Sequence, residues 1–342
     1  MTTTVTVTRM VTLASRPAKE PGPENFALTT TELPELGDGQ LLVQNIFMSV
    51  DPAMRGRMET TEKQYTTNFV VGAPLDGSAI GVVLQSKDPA IEVGAHVRHR
   101  FGWREHAVVD SVGAAVVDPS RAPLQDWLGI LGQTGFTAYA GLIRAGELTA
   151  GDTVFVSAAA GAVGSAVGQF ARKLGADRVI GSAGGKEKAS LLVDDLGFDA
   201  GIDYRNDLPK GLAEAAPDGI DLYFDNVGGG HLVAALGALR ERGRVALCGM
   251  ISDLCDRDAS PPIGHLIQAT LKRLTIRGFI VRDHEDLRTE FEDRVSGWLR
   301  DGSITSRTTV TSGLDNAPDA FLSMLSGGNV GKALVQISDE NG

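Results

Sequence analysis

The sequence predicts an α/β protein: a doubly wound parallel sheet joined to a second, β-rich unit. Three observations predict it. From Thr153 onward, apolar strand-like runs alternate with helical stretches. The first of these repeats, Val154 to Ala176, carries a glycine turn between strand and helix. Upstream of about residue 125 the chain reads as short β runs separated by turn signals. At 342 residues it is also longer than one core usually holds, so two domains are the natural expectation.

In the N-terminal part, Val5-Thr-Val-Thr8 alternates, Gln40 to Val50 is a long β-rich run, and Ile80 to Gln85 and Ala95 to Arg100 continue the pattern. Asp76-Gly77, Val93-Gly94 and Asp118-Pro119 punctuate it as turns, which implies a partly closed barrel. Leu124 to Ile143 becomes helical, as two helices around a glycine break. Strands are then expected at 153–157, 178–182, 200–203, 219–225, 243–248 and 275–280, with helices between them covering both faces of a parallel sheet. β character returns at Thr308–Thr311, followed by a helix at Asn316–Leu325 and a last strand at Ala333–Ile337. This tail is expected to rejoin the first unit. The expected domains are 1–126 with 305–342, and 127–304.

The glycine turn carries the first chemistry. Gly161 and Gly164 occupy the last two glycine positions of a dinucleotide fingerprint, and Ala159 stands at the first. Without a Cβ, Gly161 lets backbone approach a pyrophosphate, and Gly164 lets the helix pack tightly on the strand. The helix N-terminus, with Ala162 and Val163, offers amide donors and the positive end of a dipole. Where an NAD site usually places a carboxylate, the chain reads Gly181-Ser-Ala-Gly-Gly185, followed by Lys186 and Lys188; Tyr204-Arg205 closes the third strand. A 2′-phosphate calls for cations and hydroxyl donors, so NADP(H) is favoured over NAD. The alternative for both lysines is a solvated helix face beside Glu187.

Composition excludes several classes. Net charge is −11 with no basic block, which argues against nucleic acid and anionic membranes as partners. No targeting segment and no apolar run of membrane-spanning length occurs. Cys248 and Cys255 imply no disulfide framework and suit a reducing cytoplasm, with Cys248 read as a small buried hydrophobe ending a strand. His96, His99 and His106 lack Cys or carboxylate companions at zinc spacing and read as surface or edge histidines; His231, His265 and His284 are dispersed. There is no nucleophile elbow, so no metal is expected and a nicotinamide must carry the chemistry.

A set of motifs running nearly end to end then resembles one family. It comprises Met48-Ser-Val-Asp-Pro-Ala-Met-Arg-Gly-Arg57, Gly132-Gln-Thr-Gly-Phe-Thr-Ala-Tyr139, Ser157-Ala-Ala-Ala-Gly-Ala-Val-Gly-Ser165, Leu196-Gly-Phe-Asp-Ala200, Tyr223-Phe-Asp-Asn-Val-Gly-Gly229, Gly249-Met-Ile-Ser252, Gly278-Phe-Ile-Val281 and Asn329-Val-Gly-Lys332. The chain resembles the zinc-independent medium-chain dehydrogenase/reductases, in particular the NADP-dependent alkenal and prostaglandin (leukotriene) reductases and bacterial curcumin-reductase-like enzymes. The resemblance implies a GroES-like catalytic domain and a Rossmann domain with the site between them. It implies hydride transfer from NADPH to the β-carbon of an α,β-unsaturated aldehyde or ketone. Gly161–Gly164 become the pyrophosphate turn, and Lys188, Tyr204 and Asn226 contacts to the adenosine phosphate side or ribose. Cys248, Gly249, Met250, Ile251, Ser252 and Leu254, then Phe279, Ile280, Val281 and Asn329, line the nicotinamide half. For Asn226 and Asn329 the alternative is a turn residue. A homodimer through the last strand of the parallel sheet, around Leu274 to Ile280, is also implied.

Two departures from the family concern the substrate side. Leu254 stands where relatives carry a tyrosine two residues after Ser252, and Ala53 where many carry another. Tyr65 is left as the candidate hydroxyl for a substrate oxygen, against an aromatic of a mobile loop. Arg55 either reaches an anionic substrate or pairs with Asp51 or Glu59. A quinone oxidoreductase and an NADPH-binding sensor with decayed catalysis stay open as alternatives to the alkene reductase.

Overall fold

A computed structural model describes residues 5–60, 66–251 and 265–340. The chain forms two compact units, Met1–Leu128 with Thr308–Gly342, and Gly129–Arg307.

The first unit is β-rich. Strands β1 (Val7–Leu13) and β2 (Phe26–Glu32) pair antiparallel. After them come β3 (Gln40–Ser49), the one-turn helix α1 (Ala53–Arg57), β4 (Ala79–Ser86), β5 (His96–His99), β6 (His106–Asp110) and β7 (Ala115–Val116). β3 is central: it pairs with both β4 and β6, so its side chains are buried almost throughout. The first strand begins later than the Val5 alternation suggests, and His99 corrects the expectation for its strand. It is 2% exposed, its Nδ1 accepts from the Phe101 amide at 3.1 Å, and burial, with Arg104 nearby, lowers its pKa to about 3. Alternation along β5 put it on the core face, where a neutral imidazole packs as an aromatic.

The second unit opens with helix α2 (Gln133–Ala140), which runs on through a π-helical turn at Gly141–Ala145. Strand β8 (Thr153–Val156) and helix α3 (Ala162–Lys173) follow, then β9 (Arg178–Ala183), α4 (Lys186–Asp194), β10 (Ala200–Asp203), α5 (Leu208–Ala215), β11 (Ile220–Asp225), α6 (Gly229–Ala238), β12 (Leu239–Leu247) and β13 (Thr275–Gly278). All pairings in this sheet are parallel, in the order β10-β9-β8-β11-β12-β13. Phe155, Ile180, Tyr223 and Val245, one from each of four strands, share a core with Leu208 and Leu212 of α5 and Leu232 and Leu236 of α6. Burial on both faces is what the unbroken apolar strands of the sequence demanded.

The chain then returns to the first unit as β14 (Thr308–Ser312), a helix at Ala317–Leu325 and β15 (Lys332–Gln336). β15 pairs antiparallel with β3 and completes the order β14-β15-β3-β4-β5-β7. Among the described residues, no helix is long and apolar enough to cross a membrane.

Candidate dinucleotide site

Strand order places the site. β8 leads to β9 and β10 on one side, and β11, β12 and β13 lie on the other, so the order reverses between β8 and β11. In such sheets the crevice at the carboxyl ends of the two switch strands receives the ligand.

After β8 comes the turn Ser157–Gly161. Gly161 caps α3 in extended conformation (φ −83°, ψ 176°), with no side chain bonded to the first amides of the helix. Those amides and the helix dipole are therefore available to an anion. A Cβ on Gly164 would lie 2.3 Å from the Ala158 carbonyl oxygen, so helix and turn touch backbone to backbone. A Cβ on Gly161 would meet only that same oxygen, at 3.2 Å, and its other side faces open space. A turn with one packed face, one clear face and uncapped amides fits the pyrophosphate of a dinucleotide.

After β11 the turn is held by Asp225, which is fully buried. Its Oδ1 accepts from the Tyr223 hydroxyl at 2.7 Å, the Gly228 amide at 2.8 Å, the Val227 amide at 2.9 Å and Ser157 Oγ at 3.3 Å. Burial raises its carboxyl above the usual range, and these donated bonds oppose that rise. Asn226 donates from its amide to Ser157 Oγ at 2.9 Å and from Nδ2 to the Ser157 carbonyl at 2.8 Å. The turns after β8 and β11 are thereby joined. Neither Asp225 nor Ser157 was given a role on sequence grounds. The available signal was a carboxylate ending an apolar strand just before Asn-Val-Gly-Gly, the pattern of an Asx turn.

Cys248 follows β12 and is half-buried. Its amide and that of Gly249 donate to the Asp225 carbonyl at 2.9 and 3.1 Å, which brings this segment beside the same turn. Burial, with the nearby Asp225 charge second, pushes the thiol up to about 12, so it stays neutral at ordinary pH. Met250 packs near Gly228, and Ile251 donates to the Asn226 carbonyl at 3.4 Å. Ser252 and Leu254 lie outside the described residues, as does Tyr65. Phe279, Ile280 and Val281 follow the last strand β13, and Phe279 meets Phe224 edge to face.

At the other end of the sheet, Gly184-Gly185 turns β9 into α4. Lys188 is half-buried there and Lys186 exposed. Tyr204, just after β10, lies against the turn, with its hydroxyl 3.1 Å from the Cβ position of Gly184, and its ring meets His231 edge to face. His231 is buried, and burial holds its pKa at about 4.

Asn329 belongs to the other unit. Its Nδ2 donates to the Gly331 carbonyl at 2.7 Å, and Thr309 Oγ1 bonds both the amide and the carbonyl of Val330 in the same turn. Lys332, next along, is 3% exposed; its Nζ donates to the Val50 and Ala333 carbonyls and to Asp51 at 2.9 Å. Arg55 pairs with Glu59 at 2.9 Å and donates to the Lys19 carbonyl, which resolves its two alternatives in favour of the structural pair. Among the described residues, no group of three or more His, Cys, Asp or Glu is arranged to hold a metal ion.

Comparison with known proteins agrees with this geometry. A family profile described as the N-terminal domain of oxidoreductase matches residues 9–117, and one described as zinc-binding dehydrogenase matches 162–296. The chain is 41% identical to a putative NADP-dependent oxidoreductase, YfmJ, of Bacillus subtilis, over 97% of this chain and 98% of that protein. The chain belongs to the zinc-independent medium-chain dehydrogenase/reductase family. It is also 39% identical to the 2-alkenal reductase (NADP(+)-dependent) of Nicotiana tabacum, over 90% of both chains. The crystal structure of CurA in complex with NADPH from Vibrio vulnificus superimposes with a TM-score of 0.89 at 38% identity, over 97% of this chain and 99% of that one. In family terms the second unit is the Rossmann domain and the turn at Gly161 its phosphate turn.

Proposed function

We propose that this protein is an NADPH-dependent reductase that saturates the C=C bond of α,β-unsaturated aldehydes or ketones, without a metal ion. The observation that carries the proposal is the near end-to-end likeness to the NADPH complex of CurA; the likeness to the tobacco 2-alkenal reductase supports the substrate class. NADPH, when bound, supplies the hydride that the β-carbon receives, and a proton completes the α-carbon. The residues of the chain bind and orient. The Gly161–Gly164 turn and the first amides of α3 hold the pyrophosphate, and Lys188 and Tyr204 hold the phosphorylated ribose. Asn226 keeps the crevice edge in place. Cys248 to Leu254, Phe279 to Val281 and Asn329 border the nicotinamide. The neutral thiol of Cys248 serves as an apolar wall and not as a nucleophile. Tyr65 is the proposed hydroxyl for the substrate carbonyl, where it would stabilise the developing enolate.

The test is NADPH oxidation against a panel of enals, enones and quinones, with products identified by mass spectrometry. Saturation of the alkene with the carbonyl intact, at a rate unchanged by a chelator, is expected. Hydroquinone as the only product, or loss of activity with chelation, would overturn the proposal. Tyr65→Phe is expected to lower kcat roughly 10- to 100-fold with KM for NADPH unchanged.

The proposal extends to a cytoplasmic homodimer. Strand β13 pairs with β12 on one side, and Thr275 and Ile276 are exposed, so edge-to-edge addition of a second copy would cover it. Light scattering should return twice the chain mass.

A further inference from the structure

The inference concerns Arg205 and rests on the cofactor reading above. Arg205 directly follows Tyr204 beyond β10, and its side chain reaches across to the Gly184-Gly185 turn at the end of the neighbouring strand. A Cβ on Gly184 would lie 3.4 Å from one terminal nitrogen of its guanidinium, and a Cβ on Gly185 would lie 3.6 Å from the other. Gly185 has φ +99°, a conformation open to glycine. The turn thus leaves its face bare beneath a guanidinium.

The carboxylate nearest in sequence is already engaged. Asp203 Oδ1 accepts from the Gly185 amide at 2.9 Å and from the Arg205 amide at 3.1 Å, and Oδ2 accepts from Asn206 Nδ2 at 3.3 Å. Among the described residues, the Arg205 guanidinium makes no hydrogen bond and no ion pair. Lys188 stands close by: its pKa is lowered by burial and, second, by the charge of Arg205. Two cations therefore share one glycine turn with no carboxylate between them. Like charges held together are unfavourable until an anion joins them. A 2′-phosphate, with charge near −2, three acceptor oxygens and a position at the end of the second strand, is the anion this arrangement suits.

We infer that Arg205 is a specificity-determining residue that binds the 2′-phosphate of NADPH and so sets the preference for NADPH over NADH. A guanidinium keeps its charge throughout the working pH range, whereas burial and a like charge weaken the ammonium of Lys188. Arg205 is exposed, so its replacement leaves the core intact.

The experiment is calorimetry on the full chain with 2′,5′-ADP and with 5′-AMP, for the wild type and for Arg205→Gln and Arg205→Lys, alongside steady-state kinetics with NADPH and NADH. Arg205→Gln should weaken 2′,5′-ADP binding about tenfold, as expected for loss of a charge-assisted contact, and leave 5′-AMP binding unchanged. KM for NADPH should rise by a similar factor while kcat and the NADH constants stay put. Arg205→Lys should recover part of the loss. Equal weakening of both nucleotides would overturn the inference, because it would place Arg205 on the adenine or the turn; so would an unchanged 2′,5′-ADP affinity. If the wild type itself fails to prefer 2′,5′-ADP over 5′-AMP, the cofactor reading falls and the inference falls with it. If that preference is present and Arg205→Gln retains it, the inference alone falls.

Discussion

Asn226 donates two hydrogen bonds to Ser157, one from its backbone amide to Oγ at 2.9 Å and one from Nδ2 to the carbonyl oxygen at 2.8 Å. These bonds join the ends of the two strands between which the sheet order reverses. The crevice edges are therefore held by side-chain chemistry as well as by strand pairing.

Asn226→Asp tests this link. A carboxylate oxygen would replace Nδ2 and face the Ser157 carbonyl, so one bond is lost and a repulsion is added. A cost of about 1–3 kcal/mol is expected. The dissociation constant for NADPH, measured by quenching of protein fluorescence, should rise about tenfold or more. An unchanged value would mean that the crevice edges do not depend on this pair.

The two glycines of the turn should separate stability from binding. In Gly164→Ala the new methyl meets the Ala158 carbonyl oxygen at 2.3 Å, which forces helix and turn apart. Overpacking of this kind costs about 1–3 kcal/mol, read as a lower melting temperature. In Gly161→Ala the nearest atom is 3.2 Å away, and φ is negative. The fold should melt nearly as before, while NADPH affinity falls because the methyl projects toward the pyrophosphate.

Cys248 should resist alkylation. With its thiol pushed up to about 12, the thiolate is scarce at pH 8 and keeps growing as pH rises. Iodoacetamide labelling of the native protein, followed residue by residue by mass spectrometry, should be slow at pH 8 and still accelerating at pH 10. A rate that levels off near pH 8.5 would assign Cys248 an ordinary thiol.

Lys332 supports a buried pair in the β-rich unit. Burial alone would raise the Asp51 carboxyl, but the Lys332 charge and the Ser49 hydroxyl outweigh it, and the net shift is below 3.8. That stabilisation is present above 3.8 and is lost as pH falls through the lower folded-state value. Lys332→Met strands the carboxylate, at a cost of about 3 kcal/mol, the low end for a buried pair because Asp51 keeps 30% side-chain exposure. With the cation gone, burial raises the Asp51 pKa, so the variant's deficit should be largest at pH 7 and shrink toward pH 4. Urea titrations across that range would show it, and a deficit independent of pH would refute it.

Much of the second unit was legible in the residues. Buried parallel strands leave apolar runs such as Val154-Phe-Val and Leu222-Tyr-Phe, and amphipathic helices leave their own period, so strand positions followed directly. His99 was misjudged because alternation tells which residues share a face, but not which face meets the core. Arg55 offered two partners at sequence distance, and only packing selected Glu59.

By itself the sequence determined the parallel α/β sheet, the glycine turn and the absence of an acidic residue at Gly181–Gly185, because each is written in neighbouring residues. Only the tertiary structure decided that Ser157 meets Asp225, that Cys248 leans on the same turn, and that Arg205 lies over Gly184-Gly185. The Ser157–Asp225 contact spans 68 positions in the chain. Such contacts depend on which strands become neighbours and in what register, and that is set by packing of the whole sheet, not by any local stretch.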